Sequence, residues 1–355
     1  MATMFRYQLP VEQTGWTLSG ETQTSFTWEY EDERSKLLAL YDKGKKQQWD
    51  AATRIDWSQD LDPENPQEID DRLIPIFGSA IWEKMTDKEK VHLRHHQQAQ
   101  TLSQFMHGEQ GALLATAQIV NTVPWTEAKF YAAAQVADEA RHVEVYRRYL
   151  TEKLELSYPV NPHLHTLLSE IIREPRWDMT YLGMQIMVEG LALAAFGMMN
   201  FTNPQEKLIQ DITAYVMRDE ARHVAFGVLS LEEIYPQMSA KELREREDFV
   251  IESAYLMRDR LLMHEVWERL GWDVDLWVSW SLETPFMLAF RQLLFSKIVP
   301  NLKRLNLLTP RVREAFAKLG VLQFEDLPDS TRDERVTLPP ALLEFFQQHG
   351  AAAQQ

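Results

Sequence analysis

The sequence predicts an all-α protein built around a bundle of four long helices. Helix-capping motifs recur along the chain and are followed by long stretches without proline, whereas alternating strand patterns are not found. With 45% hydrophobic and 11% aromatic residues among 355, the chain can bury a large core. A formal net charge of -16 argues against nucleic acid as a partner, because the only compact basic group is Lys43, Lys45 and Lys46.

The first three bundle helices follow from start and stop signals. Residues 1–80 are rich in Trp and in Asp-Pro and Asn-Pro turns, which predicts an irregular arm wrapped over the core. A capping box at residues 86–89 opens the first long helix, which extends to just before Pro124. Thr126 is predicted to cap the second helix, and the third is predicted from near Trp177 to about residue 200.

The fourth bundle helix is predicted to open at Asn203, with Asn203 as its cap, and to stop before Pro236. Further helices are predicted over residues 239–271, 284–305, 309–320 and 340–349. The predicted organisation is an arm (1–80), a four-helix bundle (81–237) and additional C-terminal helices (238–355) in the same globular unit. The C-terminal part covers the bundle, forms a substrate lid or builds a dimer face, and the sequence leaves these three alternatives open.

Composition excludes several kinds of site and location. The chain has no Cys, which excludes disulfides, thiolate metal sites and iron–sulfur clusters held by the protein. The start lacks a basic segment followed by an apolar stretch, so we expect no secretory signal and a cytoplasmic location. The apolar run 182–199 contains Gln185 and Glu189, and an isolated carboxylate in lipid is costly. The run therefore predicts a buried bundle helix and not a membrane span.

An internal repeat is the most informative feature of the sequence. Residues 138–143, Asp-Glu-Ala-Arg-His-Val, recur unchanged at residues 219–224, and each copy is predicted in the middle of a helix. The repeat extends further, because Glu109 precedes Glu139 by 30 positions and Glu189 precedes Glu220 by 31. Two helix pairs therefore each supply one Glu and one Glu-x-x-His.

This spacing indicates a two-metal site. Residues three apart lie on one face of a helix, so Glu139 and His142 can hold a metal ion from one side, and Glu220 and His223 from the other. Four Glu and two His over four helices form a ligand pattern known for such bundles. Four carboxylates balance two divalent ions, and hard oxygen ligands favour iron or manganese. Without metal the carboxylates repel each other, which raises some pKa values, so metal binding is expected to stabilise the fold.

The paired Asp-Glu-x-Arg-His motifs resemble those of the ferritin-like di-iron carboxylate superfamily, and most of all its bacterial multicomponent hydroxylases. The superfamily also contains acyl-carrier-protein desaturases, the ribonucleotide reductase small subunit, N-oxygenases and aldehyde-deformylating oxygenases. The resemblance covers about residues 87–235. It implies a ferritin-like four-helix bundle with two iron ions, or with manganese or a mixed Fe/Mn pair. The ligands that it implies are Glu109, Glu139, His142, Glu189, Glu220 and His223.

The resemblance also implies roles for the residues beside these ligands. Asp138 and Asp219 are each expected to accept a hydrogen bond from the far ring nitrogen of the other motif's His, which orients the imidazole. Arg141 and Arg222 are expected to neutralise the two Asp side chains.

Three positions bear on which member of the superfamily the chain resembles. Two of them differ from a known member, and the third matches one. The p-aminobenzoate N-oxygenases carry an additional His ligand one turn before the second Glu-x-x-His, where this chain has Val216, which weakens the N-oxygenase interpretation. The large hydroxylases use a Thr one turn after the third Glu ligand, where this chain has Leu193. Tyr146 lies one turn after His142, the position of the radical Tyr in the reductase small subunit, although a structural core Tyr is the favoured interpretation.

The function predicted from these features is a non-haem di-iron oxygenase or hydroxylase that uses molecular oxygen on an apolar or aromatic small molecule. The chain lacks a dinucleotide-binding fingerprint, so the electrons are expected from a separate ferredoxin, reductase or flavoprotein. The alternatives are a Tyr-radical-storing subunit, an N-oxygenase, and a ferroxidase or peroxide-handling ferritin-like protein. A homodimer is the expected assembly.

Three further groups have two interpretations each. Small residues beside the Glu ligands leave room for oxygen or substrate, or allow close helix packing; they are Gly108, Gly111, Gly190 and Ala192. A Met group suits core filling or a greasy substrate pocket; its members are Met184, Met187, Met198 and Met199. A histidine trio, His92, His95 and His96, favours a solvated helix face over a metal site.

Overall fold

The protein is described by a computed structural model that covers residues 13–203, 205–332 and 344. Every regular element in these ranges is a helix, which confirms the predicted all-α class. The helix predicted near residues 340–349 lies outside the described residues, apart from residue 344.

The N-terminal segment contains two helices that the sequence analysis did not predict, α1 (Ser35–Lys46) and the short α2 (Ala51–Arg54). Helix α1 packs across the second and fourth helices of the bundle and buries Leu37 and Gly44. A helix of this length is marginal in isolation, so packing against the bundle is the main source of its stability. Local sequence signals alone therefore do not reveal it.

The first two bundle helices form a long antiparallel pair. Helix α3 (Asp87–Thr122) begins at the predicted capping box, where Thr86 accepts a hydrogen bond from the backbone N–H of Glu89. Helix α4 (Thr126–Arg148) follows after three residues, so it returns along α3 and packs against most of its length.

The third bundle helix is interrupted by a π-helical segment. After α5 (Pro162–Arg173), it consists of α6 (Trp177–Tyr181), the π segment (Leu182–Val188) and α7 (Glu189–Thr202). The stretch Trp177–Thr202 is long and apolar enough to cross a membrane by composition, but 89% of its most apolar window is buried inside the protein. It is therefore a core helix, as predicted.

The fourth bundle helix, α8 (Lys207–Leu231), packs mainly along α7. Its predicted start at Asn203 is wrong, because the Glu206 carboxylate caps the helix by accepting from the backbone N–H groups of Leu208 and Ile209. Asn203 instead follows the end of α7.

The C-terminal helices are shorter than predicted. The predicted helix 239–271 is two helices, α9 (Ala240–Asp259) and α10 (His264–Arg269). Four non-helical residues separate them, and the last of these, Met263, is left-handed with φ of 56°. The remaining helices are α11 (Val274–Glu283), α12 (Pro285–Phe295), α13 (Val299–Arg304) and α14 (Pro310–Leu319).

Two of these helices cover the third bundle helix. Helix α12 packs on α7, and α9 packs on α5 and the π segment. A buried ion pair of 2.8 Å between Arg246 of α9 and Asp178 of α6 joins this layer to the bundle. The C-terminal layer thus forms part of the surroundings of the bundle centre.

Candidate metal centre

The six predicted ligands converge in the centre of the bundle, where each is at most 5% exposed; they are Glu109, Glu139, His142, Glu189, Glu220 and His223. Two groups of these side chains each bring their ligand atoms within 4.8 Å of one another: Glu109, Glu139, His142 and Glu220 form the first, and Glu139, Glu189 and His223 the second. The groups share Glu139, so the arrangement has two adjoining positions for a cation.

Each helix of the bundle contributes to this cluster. Glu109 comes from α3, the first Glu-x-x-His from α4 and the second from α8. Glu189 is the first residue of α7 and directly follows the π segment. A π turn adds a residue to the helix and changes the direction in which the following side chains point, and such segments are frequent at functional sites. Nothing in the local sequence predicted this segment.

The two imidazoles face the carboxylates through their Nδ1 atoms. His142 Nδ1 lies 3.2 Å from Glu109 Oε2 and 3.1 Å from Glu220 Oε1. His223 Nδ1 lies 3.1 Å from Glu139 Oε1. A cation placed among these atoms would therefore meet nitrogen and oxygen ligands from several helices at once.

The far ring nitrogens make crossed contacts between the motifs. His142 Nε2 lies 3.3 Å from Asp219 Oδ2, and His223 Nε2 lies 3.3 Å from Asp138 Oδ2. This is the crossed arrangement that the superfamily resemblance implies. With Nε2 donating to an Asp, each imidazole presents a lone pair on Nδ1 to a metal ion.

The two Arg side chains bridge the two Asp side chains. Arg222 Nη2 lies 2.6 Å from Asp219 Oδ1 and 3.5 Å from Asp138 Oδ2. Arg141 pairs with Asp138 in its own motif and lies 3.5 Å from Asp219 Oδ2. Two positive and two negative charges therefore balance one another beside the imidazoles.

The N-terminal segment, to which the sequence analysis assigned no chemistry, completes this network. Gln48 Nε2 donates to Asp138 Oδ1 and Trp49 Nε1 donates to Asp219 Oδ2, each over 2.7 Å. Gln47 accepts from the arginine of the second motif, also over 2.7 Å. The Trp-rich composition of the segment indicates that it packs on the core, but it does not identify which residues of the two motifs the segment contacts.

Gln135 is a buried contact to the ligands that sequence reasoning missed. Its Nε2 donates to Glu139 Oε1 over 2.9 Å and to Glu189 Oε1 over 2.8 Å. It lies one turn before Glu139, the position that Val216 occupies in the second copy of the repeat. Comparing the two copies one turn upstream of each Glu-x-x-His would have singled it out.

Crowding of the carboxylates changes their protonation in the expected direction. Burial and the charge of Glu220 raise the pKa of Glu109 to about 8. Burial and the charge of Glu139 raise the pKa of Glu189 well above its ordinary value. Burial acts on Glu139 in the same sense, but the two imidazoles outweigh it and lower its pKa. Metal binding must therefore displace protons from this cluster.

Unpartnered buried atoms test whether these residues fit metal ions. Several ligand atoms are buried and form no hydrogen bond with the described residues; they are Glu139 Oε2, Glu189 Oε2, His223 Nδ1 and both carboxylate oxygens of Glu220. Leaving such an atom unsatisfied costs about 1–3 kcal/mol. A pair of cations would satisfy these lone pairs together, so the donor set fits a di-metal site.

One cavity adjoins the cluster, and a larger cavity adjoins the first. The smaller, about 20 Å³, is lined partly by Glu109, Glu189 and Glu220. Because a water molecule needs roughly 10–15 Å³ of such space, it can hold one molecule the size of water or oxygen. The larger cavity has a volume of about 120 Å³ and shares Phe105 and Arg260 with the smaller one. The site therefore has a space for a small gas molecule next to a space for an organic molecule.

The small residues beside the ligands divide between the two interpretations. Gly108 and Ala192 line the smaller cavity, and a Cβ added at Gly108 would meet no atom within 4 Å. A Cβ at Gly111 would overlap Leu168. One at Gly190 would lie 3.2 Å from Cγ1 of Ile298, in the link between α12 and α13. Open space thus explains the first two residues, and close packing explains the other two.

The methionines divide in a similar way. Met198 and Met199 line the larger cavity, whereas Met184 and Met187 are fully buried in the core. Met198 and Met199 therefore support the predicted apolar substrate pocket, whereas the other two methionines fill the core.

The histidine trio forms no metal group among the described residues. His92 is exposed, but the predicted solvated face is wrong for His96, which is buried and hydrogen-bonded to the Tyr158 hydroxyl. Burial lowers the pKa of His96 to about 4, so its ring is neutral.

Tyr146 lies fully buried between aromatic rings near the cluster. Its ring centroid is 6.0 Å from that of Phe105 and 5.8 Å from that of Phe196. Its hydroxyl has no hydrogen-bond partner among the described residues. Burial, followed by the charge of Glu109, raises the pKa of Tyr146 well above 10, which keeps the phenol protonated.

Comparison with known proteins finds one family and several distant structures. A family model described as "P-aminobenzoate N-oxygenase AurF" matches residues 30–304, and no curated protein matches the chain. A Gly-to-Phe mutant of an R2-like ligand-binding oxidase with an Mn/Fe cofactor has 18% identity and a TM-score of 0.48, covering 81% of this chain and 96% of that one. A Val-to-Ile mutant of such an oxidase has 19% identity and a TM-score of 0.45, covering 74% and 94%. These values are too low for chemistry to be transferred.

Proposed function

Because the chain belongs to the p-aminobenzoate N-oxygenase AurF family, we propose that it is a di-iron oxygenase that transfers oxygen from O2 to a small organic molecule. The observation that carries this proposal is the cluster of six buried ligands beside two cavities of different size. The smaller cavity suits O2, and the larger suits an apolar or aromatic molecule. Three of the ligand carboxylates line the smaller cavity, and the larger cavity shares Phe105 and Arg260 with it, which supports binding of the two reactants side by side.

The six ligands would hold two iron ions: they are Glu109, Glu139, His142, Glu189, Glu220 and His223. The bound metals would supply the electrons and the Lewis acidity that activate O2. Hard carboxylate oxygens with two imidazoles suit iron, manganese or a mixed pair.

The remaining residues of the site hold and orient the ligands. Asp138 and Asp219 keep the proton of each imidazole on Nε2, so that Nδ1 faces the metal position. Gln135 fixes one oxygen each of Glu139 and Glu189. Glu220 receives no such hydrogen bond from the described residues, which leaves its carboxylate free to change its mode of coordination.

Aromatic side chains separate the ligands from the larger cavity. Phe105 and Phe196 pack edge to face with their centroids 4.8 Å apart, and both line the smaller cavity. Apolar walls exclude water from the reacting centre and lower the local dielectric constant. A substrate held in the larger cavity would therefore meet the oxygen space in a dry environment.

Electrons are proposed to come from a separate ferredoxin, reductase or flavoprotein. The sequence has no dinucleotide-binding fingerprint and no Cys for an iron–sulfur cluster, so an internal electron carrier of these kinds is not encoded. Assembly as a homodimer in the cytoplasm belongs to the same proposal, since closed two-fold dimers are the commonest oligomers. Light scattering on the purified protein measures the assembly directly.

Within this proposal, the family match favours an amine nitrogen as the atom that receives oxygen. Val216 supports the opposite view, because the p-aminobenzoate N-oxygenases that the site resembles carry a His ligand there. Oxidation of a carbon atom is therefore the alternative to N-oxygenation.

A labelling experiment tests the proposal. The protein is loaded with ferrous iron under anaerobic conditions, reduced chemically, and mixed with ¹⁸O2 and p-aminobenzoate or a panel of aromatic and aliphatic acids. We expect ¹⁸O in an organic product by mass spectrometry, and none from a His223→Ala control. The mass and fragmentation of the product distinguish oxygen on nitrogen from oxygen on carbon. Protein that binds two iron ions and consumes O2 without labelling any compound of the panel contradicts the oxygenase proposal.

A further inference from the structure

The larger cavity is elongated, and two helices measure its length. Along α3 its wall runs from Phe105 back to Gln97, and along α7 and the residue after it from Ala195 to Asn203. Each stretch covers eight positions, or about 12 Å at 1.5 Å per residue. Phe105 and Ala195 lie four and six positions from the Glu ligand of their own helix. Both helices therefore place the same end of the cavity toward the metal centre.

The two ends of the cavity differ in chemistry. Phe105, Ala195 and Met198 make the end near the ligands largely apolar. Among the described lining residues Arg260 is the one with a charged side chain, and it lies at this near end because it also lines the smaller cavity. The far end is lined by amide side chains; they are Gln67, Gln97, Gln98 and Asn203.

The N-terminal segment helps to build the far end. The backbone N–H of Gln67 donates to Gln98 Oε1 over 3.2 Å, and Gln98 Nε2 donates to Asn65 Oδ1 over 3.0 Å. These hydrogen bonds join the segment to α3 beside the cavity. A part of the chain to which the sequence analysis assigned no chemistry therefore contributes to the cavity wall.

Three amides at the far end each retain a buried atom without a hydrogen bond among the described residues; the atoms are Gln67 Nε2, Gln97 Oε1 and Asn203 Nδ2. Gln67 and Asn203 are each only 1% exposed. By contrast, Gln104, closer to the ligands, donates to the Pro159 carbonyl and accepts from the backbone N–H of Asn161. Buried polar groups are normally hydrogen-bonded, so the three unpartnered atoms require an explanation.

The unpartnered atoms are of two kinds. Gln97 Nε2 donates to the Leu73 carbonyl over 3.5 Å, which leaves its oxygen as an acceptor. Asn203 Oδ1 accepts from the Thr202 hydroxyl over 2.9 Å, which leaves its Nδ2 as a donor. A carboxamide presents a carbonyl oxygen and an N–H group, so it complements both at once. A carboxylate presents acceptors alone and carries a charge that no lining residue at this end balances.

We propose that the far end of the larger cavity binds the carboxamide of a slender, uncharged molecule, and that this contact places the opposite, apolar end of the molecule beside the metal ligands. This proposal rests on the proposed function, because it names the substrate class of the same site. A volume of about 120 Å³ spread over such a length leaves a narrow space, so the body is a single ring or an unbranched chain. Gln97 and Asn203 are thus positioning residues that set which atom reaches the ligands.

A structural alternative is that these amides only hold ordered water at the end of the cavity. A ligand would then leave the water in place, and its affinity would not depend on whether its own polar group donates or accepts. Recognition of a carboxamide instead makes the affinity depend on each half of that group separately.

Binding is measured by calorimetry without turnover. Full-length protein loaded anaerobically with ferrous iron is titrated with N-methyl-4-phenylbutanamide, with the isosteric methyl ester, which lacks the N–H donor, and with 4-phenylbutanoate. The variants are Gln97→Met, which removes the acceptor, and Asn203→Leu, which removes the donor. The matched control is Gln110→Met, because Gln110 is exposed on the same helix and lines neither cavity. Iron content and melting temperature are recorded for each protein.

We expect wild type to bind the amide more tightly than the ester by about threefold to tenfold, and the acid most weakly. Gln97→Met should abolish the preference for amide over ester, Asn203→Leu should weaken both by a similar factor, and Gln110→Met should change neither. Gln97 is only half-buried, so Gln97→Met carries the test even if Asn203→Leu destabilises the protein. Equal binding of amide and ester, tighter binding of the acid, a preference that survives Gln97→Met, or no binding up to millimolar concentrations overturns the proposal.

Nuclear magnetic resonance tests the orientation of the bound molecule. In protein loaded with paramagnetic Mn²⁺, the ring protons of the amide should broaden more than its N-methyl protons, relative to protein loaded with diamagnetic Zn²⁺. The reverse order would contradict the proposed direction of binding. Neither measurement uses oxygen, so amide binding that depends on Gln97 stands even if the ¹⁸O experiment fails. Equal binding of amide and ester, in turn, leaves the oxygenase proposal intact.

Discussion

The two copies of the repeated hexapeptide have identical sequences and unequal surroundings. In both copies the Asp contacts the far nitrogen of the other copy's imidazole at 3.3 Å, and the Arg pairs with the Asp three residues earlier. The Arg side chain of the first copy is 11% exposed, but that of the second is 1% exposed. Identity within the motif thus accounts for the shared contacts, while neighbouring residues set the differences.

The largest difference lies one turn before each Glu-x-x-His. Gln135 donates to Glu139 and to Glu189, so the first copy holds its carboxylate in one orientation. Val216 offers the second copy no donor, and both oxygens of Glu220 remain without a hydrogen bond among the described residues. An identical motif therefore yields one carboxylate that a glutamine holds and one that is approached by an imidazole at 3.1 Å without such an amide donor, which suits a site in which one ligand must move.

The largest effect is expected from removing the shared ligand. Glu139 belongs to both ligand groups, whereas Glu220 belongs to one. Glu139→Ala should therefore lose nearly all bound iron and all oxygenation, while Glu220→Ala should retain part of the iron, as measured by metal analysis after anaerobic loading. The control is Glu144→Gln on the same helix, which should behave as wild type. Two iron ions retained by Glu139→Ala would contradict the shared-ligand arrangement.

Metal removal is expected to make stability depend on pH. In the metal-free protein the pKa of Glu109 is raised to about 8 and that of Glu189 is raised as well, so the folded state binds more protons than the unfolded one. Their contribution to stability is complete below about pH 4.5 and is lost as pH rises toward 8. Glu139, whose pKa is lowered, is ionised in both states across this range and adds no slope.

We therefore expect the melting temperature of the metal-free protein to fall between pH 5 and pH 8, and metal loading to remove most of that fall. Scanning calorimetry on both forms measures the effect. Glu109→Gln should flatten the curve of the metal-free protein. A melting temperature that rises over this range would show that the carboxylates do not carry raised pKa values.

Exchanging the residues upstream of the two motifs should have an intermediate effect. Gln135→Leu removes both hydrogen bonds and makes the first copy resemble the second, so iron affinity should fall by about 10- to 100-fold while the fold persists. Competition with a ferrous chelator measures the affinity. Val216→Leu is the matched control, and it should change the affinity little. Equal losses in the two variants would mean that bulk, and not the donor at position 135, controls the site.

The sequence revealed the ligand set because the repeat is periodic on a helix. Glu-x-x-His spacing and the matching distances to the upstream Glu residues place all six side chains inward, and the family match confirms the superfamily resemblance on which their roles rest. The ligand roles themselves remain a prediction. Capping boxes at Thr86 and Ser239 located two helix starts for a similarly local reason.

The features that escaped prediction depend on contacts between distant parts of the chain. Trp49 and Gln48 reach Asp219 and Asp138 across 170 and 90 positions, and no local pattern encodes such a contact. Similarly, no sequence signal marks the break before α10, where Met263 is left-handed, or the π segment before Glu189. These unpredicted features hold the Asp partners of the imidazoles and supply part of the cavity walls, so they influence how the predicted ligands are used.

The smallest effect is expected at the position one turn after each His. Tyr146 follows His142 in the first copy, while Gly227 follows His223 in the second, where an added Cβ would lie 2.6 Å from the Cβ of Gln185. Oxidation of a phenol to a stored radical requires a group that accepts its proton, but the Tyr146 hydroxyl has no hydrogen-bond partner among the described residues. Tyr146→Phe should therefore leave oxygenation within about a factor of two of wild type, and stability within about 0.5 kcal/mol. Rapid-freeze EPR after O2 mixing provides the decisive measurement: a tyrosyl signal in wild type that Tyr146→Phe abolishes, together with lost turnover, would favour a radical-storing subunit and reverse this assignment.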